Sequence, residues 1–249
     1  MREEIYRKAY QILSSDTDCL RRLRLSRLFT FLQEAAIAHT EALGMGRAKT
    51  LDKGLLWIVT LQQAKITRLP VYDEQVTLES APGQTMHTFF PRYYRLTDES
   101  GNELVNAAAL WALMCCETRA MVFPEKHGIR IDAQSVPWKT FLPRPPKLPE
   151  NAAVCDFTVP YSYVDLNGHM NNTRYFDLAE DLLPDEVRKG SIREILTEYT
   201  GEAKPGETLR LELSRAGGEV RLCGTGQKRL FRISMQYDSG GETLGLSNT

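Results

Sequence analysis

Three features that narrow the function of many proteins are missing from this chain of 249 residues. Its five cysteines form no C-x-x-C pair and no zinc-type spacing, so the sequence carries no cysteine metal site and no disulfide framework. No apolar run reaches the roughly 18–20 residues that cross a bilayer. The formal net charge is only −1, which excludes the overall basic field that draws proteins to nucleic acid.

The same features indicate a class and a compartment. An odd number of cysteines without a framework suits a reducing cytosol, and the charges in the opening residues MREEIYRKAYQI argue against an export signal. Hydrophobic residues make up 42% and charged residues 25%, as in ordinary globular domains. We therefore expect a cytoplasmic globular protein with no membrane span and no nucleic-acid partner.

An internal repeat is the most informative feature that is present. The segments 18–34 and 165–181 align without gaps at an offset of 147 positions, and both continue with apolar residues at helical spacing. Strand-rich stretches follow each helix, and EQVTLES in the first copy matches ETLRLEL in the second. The identical positions of the two helical segments are Asp18/Asp165, Arg27/Arg174 and Phe29/Phe176.

A proline-rich stretch separates the two copies. Five prolines fall between Pro137 and Pro149, and such a stretch is a stiff, extended connector that cannot continue the interior of a sheet. The sequence thus predicts an α+β protein with an N-terminal domain over 1–136, a linker over 137–150 and a C-terminal domain over 151–249.

The two copies differ most in one short polar segment. Where the second copy has Asp165, Asn167 and His169, the first has Leu20 and Arg22 at the last two of these positions. Scaffold positions are expected to stay apolar in both copies, so a change in chemistry between them indicates a function kept in one copy. We therefore predict a single polar site in the C-terminal half.

The pattern D-x-N-x-H-x-N-N-x-x-Y, from Asp165 to Tyr175, resembles the active-site segment of acyl-acyl-carrier-protein thioesterases, the plant FatA/FatB type and its bacterial relatives. WIVTLQQAKITRLPVYDEQVTLES and ALWALMCCETRAMVFPEK resemble the N-terminal domain of that family. The resemblance implies a tandem, or double, hot-dog fold, in which each long helix is wrapped by a curved antiparallel β-sheet.

The resemblance also implies a set of catalytic residues. A further acid of the family lies in an E-Y-x-x-E-C segment, which reads EYTGEA here, so Ala203 replaces the cysteine and a cysteine-based acyl-enzyme at that position is excluded. A register slip of four residues would put the acid on Glu198 instead. Carried over position by position, the catalytic residues are Asp165, Asn167, His169 and Glu202.

Hydrolysis of a thioester needs a positioned water, a base that takes its proton, and donors for the oxyanion. Either Glu202 or His169 is the base, and the sequence does not separate the two assignments. Asn167 is expected to hold the water or orient the imidazole, and Asp165 to support the loop. We expect the oxyanion donors among free backbone N–H groups at a helix that begins just after Met170.

The implied substrate is acyl carrier protein bearing an acyl-phosphopantetheine, hydrolysed without a cofactor or a metal. The basic run Arg21, Arg22, Arg24 and Arg27 is either a docking patch for this acidic partner or a solvated approach to the helix. The acyl tunnel is expected in the N-terminal half, with loose candidates in Trp57, Phe29, Phe31 and Trp111.

Several alternatives stay open at this point. An acyl-CoA thioesterase of the same fold, a non-catalytic module that binds acyl chains, and a hydratase on a double hot-dog are the rival functions. Chain-length preference cannot be predicted, because one methylene changes binding by only about 1–3 kcal/mol. The protein is expected to be a monomer or a homodimer, since the tandem repeat already supplies the usual pairing of hot-dog units.

Overall fold

One ten-stranded antiparallel sheet runs through the part of the chain that the computed structural model describes, residues 4–133 and 135–238. The N-terminal half contributes β1 (Tyr6–Gln11), α1 (Leu25–Ala42), β2 (Leu55–Ile66), β3 (Gln75–Pro82), β4 (Phe89–Asp98) and β5 (Glu103–Cys115). The C-terminal half contributes β6 (Ala153–Thr158), α2 (Arg174–Leu182), α3 (Asp185–Lys189), β7 (Ser191–Tyr199), β8 (Thr208–Ala216), β9 (Glu219–Thr225) and β10 (Arg229–Asp238).

The strand order makes the repeat visible in three dimensions. It runs β1-β3-β4-β5-β2 through the first half and continues β7-β10-β9-β8-β6 through the second, which is the same order reversed. The seam between the halves is the antiparallel pair of β2 and β7, in which Leu61 lies opposite Glu198 and Lys65 opposite Glu194. An antiparallel seam between two equal sheets gives the molecule a pseudo-twofold axis, as in a symmetric dimer.

The two longer helices lie against this sheet and against each other. The buried face of α1 carries Leu28, Phe29 and Leu32, while α2 buries Tyr175 and Phe176. The spacing of these residues puts them on one stripe of each helix, as the apolar pattern predicts. No helix in residues 4–133 and 135–238 is both long and apolar enough to cross a membrane.

The second helix begins later than predicted. It starts at Arg174 instead of just after Met170, because Met170 is still paired with other loops and a turn at 172–173 precedes the helix. Met170 forms an isolated bridge with Val164, and its N–H donates to the Ala203 carbonyl over 2.8 Å. The Asn171 side chain then accepts the Thr173 N–H over 2.9 Å, which closes a local turn just before the helix.

The proline-rich stretch carries neither a helix nor a strand in the described residues from 135 to 150 and crosses one face of the sheet. The Arg95 guanidinium lies 4.4 Å from the centre of the Trp138 ring, and Asn106 donates to the Trp138 carbonyl over 3.2 Å. Further along, Arg144 lies 3.5 Å from a carboxylate oxygen of Glu198. The stretch thus contacts strands of both halves.

Candidate active site

The polar segment of the second copy is a tight turn from Asp165 to His169. The Asp165 carboxylate accepts the Asn167 N–H over 2.8 Å, the Gly168 N–H donates to the Asp165 carbonyl over 3.0 Å, and the Asp165 N–H donates to the His169 carbonyl over 2.9 Å. Gly168 has a φ of +79°, a conformation that costs any residue with a Cβ about 1–2 kcal/mol. The aspartate side chain thus caps the turn, and glycine adopts the conformation at position 168 at the lowest cost.

The first copy contains the same turn without the same chemistry. The Asp18 carboxylate accepts the Leu20 N–H over 2.9 Å, and the Asp18 N–H donates to the Arg22 carbonyl over 2.8 Å. Arg21 takes the place of the glycine and has a φ of +63°. The aspartate shared by the copies thus has a structural role, which agrees with the supporting role predicted for Asp165.

His169 and Glu202 meet at the end of this turn. The Met170–Ala203 hydrogen bond holds their segments side by side, and His169 Nε2 lies 3.5 Å from Glu202 Oε2. Nδ1 of the same ring is buried and finds no hydrogen-bond partner among the described residues. The two side chains are 20% and 37% exposed, so the pair is partly accessible from solvent.

Asn167 lies two positions before His169 and is exposed, so the structure puts it on the rim of the same turn. Its backbone N–H donates to the Asp165 carboxylate, so the turn fixes the backbone from which the side-chain amide projects. The predicted set of four therefore divides in two. His169 and Glu202 form the contact pair, and Asp165 and Asn167 shape the loop beside it.

An arginine from the other half completes the cluster. The guanidinium of Arg119 contacts Glu202 Oε1, while Oε2 faces His169. Arg119 belongs to a turn that follows β5, closed by its own N–H donating to the Cys115 carbonyl over 3.0 Å and by the Cys115 N–H donating to the Ala120 carbonyl over 2.9 Å. Arg119 is not among the site residues predicted from the sequence, although it lies in the segment ALWALMCCETRAMVFPEK, which resembles the family's N-terminal domain.

The alternative acid, Glu198, is engaged elsewhere. It is 5% exposed, and one of its carboxylate oxygens accepts two hydrogen bonds from Arg232, over 2.6 and 3.0 Å. Arg144 and Arg229 lie 3.5 and 3.8 Å from the same carboxylate. Glu198 is therefore part of an arginine cluster on the face that the proline-rich stretch crosses, and this geometry favours Glu202 as the acid of the site.

Buried tyrosines support the loop from behind. The ring of Tyr175 meets those of Tyr199 and Phe231 edge to face, with centroids 5.5 and 4.6 Å apart, and its hydroxyl reaches the backbone of Ala203. The Tyr199 hydroxyl donates to the Asn172 carbonyl over 2.9 Å. Burial raises the pKa of Tyr175 well above its ordinary value, so this phenol stays neutral and acts as a fixed wall.

The predicted set of free backbone donors is largely absent. The N–H groups of Met170, Asn171, Thr173 and Arg174 all donate to partners within the protein. The helix start therefore offers fewer free N–H groups than expected, because these four hold neighbouring loops and the turn before α2. Within the described residues, an oxyanion donor has to come from the remaining N–H groups or from a side chain such as that of Asn167.

An apolar cavity lies in the N-terminal half between α1, the start of β2 and the loop before it. Trp57 and Trp111 line it, and its volume of about 170 Å³ exceeds that of an apolar cavity of about 150 Å³ known to bind benzene. The other two aromatic candidates lie elsewhere in the core. Phe29 stacks on Phe176, and Phe31 stacks on Tyr10.

The cavity and the polar cluster share one end of the sheet. Leu55 lines the cavity and pairs with Cys115, and the turn that begins at Cys115 carries Arg119 to Glu202. Trp57 is held by a hydrogen bond of 3.3 Å from its indole N–H to the Met45 carbonyl. The cavity therefore lies at the same end of β2 and β5 as the turn that contacts Glu202.

The basic run before α1 is mostly committed to internal contacts. Arg22 donates to Asp18 and, over 2.7 Å, to the Gly190 carbonyl; Arg27 pairs with Asp16 over 2.8 Å. Arg24 donates to the Thr17 carbonyl over 3.0 Å. Three of the four guanidinium groups thus stabilise the approach to the helix, which favours the structural interpretation of this run over the docking patch.

Comparison with known proteins places the chain in a family. Residues 3–125 match the family model described as the acyl-ACP thioesterase N-terminal domain, and residues 147–238 match the acyl-ACP thioesterase C-terminal domain. The class of fold, a tandem hot-dog, is therefore confirmed together with the predicted resemblance. The chain belongs to the acyl-ACP thioesterase family.

Individual relatives agree with this assignment. The chloroplastic acyl-[acyl-carrier-protein] hydrolase FATB2 of Cuphea viscosissima is 24% identical over 96% of this chain. The chain spans 61% of that relative's length. Among solved structures, an acyl-ACP thioesterase from Bacteroides thetaiotaomicron matches 94% of this chain and 98% of its own with a TM-score of 0.83 at 21% identity. The 12:0-ACP thioesterase from Umbellularia californica matches 96% and 99% with a TM-score of 0.83 at 19% identity.

Proposed function

We propose that this protein hydrolyses the thioester of fatty acyl-acyl carrier protein and releases a free fatty acid. The observation that carries the proposal is the 3.5 Å approach of His169 Nε2 to Glu202 Oε2 beside the apolar cavity. Two atoms at that separation can both lie within hydrogen-bonding reach of one water, which then sits next to a base and a carboxylate. The family membership and the names of the relatives point to the same substrate.

The chemistry follows from that water. As its proton passes to the His169–Glu202 pair, the water oxygen forms a bond to the thioester carbonyl carbon and the carbonyl oxygen takes up the negative charge. Collapse of this tetrahedral intermediate breaks the carbon–sulfur bond, and the leaving thiolate takes the proton back from the pair. Ala203 offers no thiol, so the proposed reaction needs no acyl-enzyme at that position.

We assign acyl-chain binding to the N-terminal half and catalysis to the C-terminal half. In this proposal Trp57 and Trp111 line the space that the acyl chain occupies. The thioester carbonyl then lies at the shared end of β2 and β5, on the side of His169. The seam of β2 and β7 joins the halves within one chain, which supports a monomer as the active unit. The absence of a cysteine framework supports action in a reducing cytoplasm.

The test is hydrolysis of acyl-carrier-protein thioesters of increasing chain length beside the matching acyl-CoAs. We expect higher kcat/KM with the carrier-protein forms, and a loss of at least about a hundredfold in His169→Ala and Glu202→Ala. Higher kcat/KM with acyl-CoA would replace the proposed donor by CoA. Binding of acyl chains without turnover would instead indicate a non-catalytic module.

A further inference from the structure

Among the described residues of the N-terminal half, Arg119 is the one cation with a recorded contact to the predicted catalytic set. Its partner Glu202 lies 83 positions further along the chain, on the other side of the seam. The backbone at Arg119 has a φ of +55°, an uncommon conformation for a residue with a long side chain. The residue therefore occupies a position that glycine would fill more easily, which points to a use for the side chain.

The two oxygens of the Glu202 carboxylate are divided between two partners. Oε1 contacts the Arg119 guanidinium, and Oε2 faces His169 Nε2 at 3.5 Å. A guanidinium on one oxygen fixes the plane of the carboxylate and so the direction of the other oxygen.

We propose that Arg119 is a positioning residue of the hydrolytic site, which holds the Glu202 carboxylate with Oε2 turned towards His169 and thereby makes His169 the general base. The inference rests on the proposed function and deepens it. A carboxylate that is shared with a guanidinium is a weaker proton acceptor than a neutral imidazole that it faces. Glu202 then stabilises the imidazolium that forms when the water loses its proton.

Other charges surround this carboxylate and have to be considered with it. Lys204, Glu207 and Lys228 line the same surface pocket as Glu202, while Asp165 and the neutral Tyr175 lie on the loop and helix behind. The described contacts give the two lysines no hydrogen bond or ion pair with Glu202, so Arg119 is the cation with a defined geometry. Its removal should change the site more than the removal of either lysine.

The experiment compares Arg119→Met, Arg119→Lys and Arg119→Gly in the full chain. The glycine variant removes the guanidinium and also relieves the strain of the positive φ. It therefore distinguishes the effect of the side chain from the effect of the turn's backbone. Arg215→Met is the matched control, because it breaks an exposed ion pair with Glu186 on α3 instead. Each variant is assayed for kcat/KM against pH with an acyl-carrier-protein thioester, and the His169 imidazole is titrated by NMR without substrate.

We expect Arg119→Met and Arg119→Gly to lose about tenfold to a hundredfold in kcat/KM, with the acidic limb of the pH profile moved to higher pH. The His169 resonances should titrate at higher pH in both variants, and Arg119→Lys should restore the limb in part. The control should match the wild type in every measurement.

Failure of this inference differs from failure of the proposed function. An Arg119→Met variant with unchanged kcat/KM, an unchanged acidic limb and an unchanged His169 titration would overturn the role of Arg119 and leave the hydrolysis intact. A wild-type protein that does not hydrolyse the thioester would remove the function. The NMR titration would then still decide whether Arg119 sets the charge at His169.

Discussion

Phe29 on α1 and Phe176 on α2 stack face to face, with ring centroids 3.8 Å apart and planes inclined by 6°. They are also the pair of phenylalanines that the sequence repeat aligns. Residues related by a pseudo-twofold axis can touch only where they lie close to that axis. This stack therefore marks the point about which the two halves are related, on the helix side of the sheet.

The stack should contribute strongly to stability. Both rings are at most 1% exposed, so Phe29→Ala and Phe176→Ala should each lower the free energy of unfolding by about 3–5 kcal/mol. The double variant should lose less free energy of unfolding than the two single variants together. The difference should be about 0.5–1.5 kcal/mol, because the contact between the rings is lost only once. Urea unfolding of the four proteins measures this coupling, and strictly additive losses would show that the stack itself contributes nothing.

Glu202 and Glu198 should separate activity from stability. Glu202→Gln should lose at least about a hundredfold in kcat/KM with an unchanged melting temperature, since its side chain is 37% exposed. Glu198→Ala leaves Arg232 buried without its partner and should lower the free energy of unfolding by about 3–5 kcal/mol, with kcat/KM retained below the melting temperature. The opposite pattern would move the catalytic acid to Glu198.

Glu180 on α2 should make stability depend on pH. Burial, together with the neighbouring Asp177, raises the pKa of this carboxyl to about 7, while its backbone partner is the Leu25 N–H at the start of α1. The folded state therefore holds a proton that the unfolded chain loses near its ordinary pKa of 4.5. The stability that this proton adds to the folded state is fully present below about pH 4.5 and is lost as pH rises through about 7. Its upper limit is about 3 kcal/mol.

The neutral amide of Glu180→Gln keeps an acceptor for the Leu25 N–H and removes the titration. The variant should be more stable than the wild type at pH 8 and equal to it near pH 4.5, as measured by urea unfolding across that range. Glu186→Gln on α3 is the control, because the pKa of this exposed carboxyl is lowered. Replacing it should therefore not stabilise the protein at pH 8. Parallel curves for Glu180→Gln and the wild type would contradict the prediction.

Trp111 should limit the length of the acyl chain. Its side chain lines the cavity, so Trp111→Leu should enlarge the space and favour longer thioesters, changing the ratio of kcat/KM between successive chain lengths by about tenfold. Phe31→Leu is the matched control, since that ring stacks on Tyr10 and does not line the cavity. A shift of chain length in the control alone would place the acyl chain elsewhere.

Local patterns in the sequence predict much of this molecule. The repeat predicts two equivalent halves, and the change from Leu20 and Arg22 to Asn167 and His169 predicts one polar site, because both signals are read by comparing short segments of the chain. The contact of Arg119 with Glu202 could not be predicted in this way. It depends on how β5 and the end of β7 are brought together across the seam, and no local pattern encodes that distance.

The start of α2 shows the same limit on a smaller scale. The helix begins four residues after Met170, whose N–H donates to the Ala203 carbonyl, 33 positions away. Helical periodicity does not report such a partner. The four candidate site residues came from the sequence and the resemblance, while their hydrogen bonds could be read only from the fold.

The matching turns at Asp18–Arg22 and Asp165–His169 have an evolutionary consequence. In a dimer of identical chains every substitution appears twice, whereas a tandem chain lets each copy change alone. The first turn has the same backbone as the second but carries Arg22 in place of His169, and Arg22 ties the first copy to the Gly190 carbonyl of the second. One turn of the pair thus joins the two halves, and the other presents the histidine.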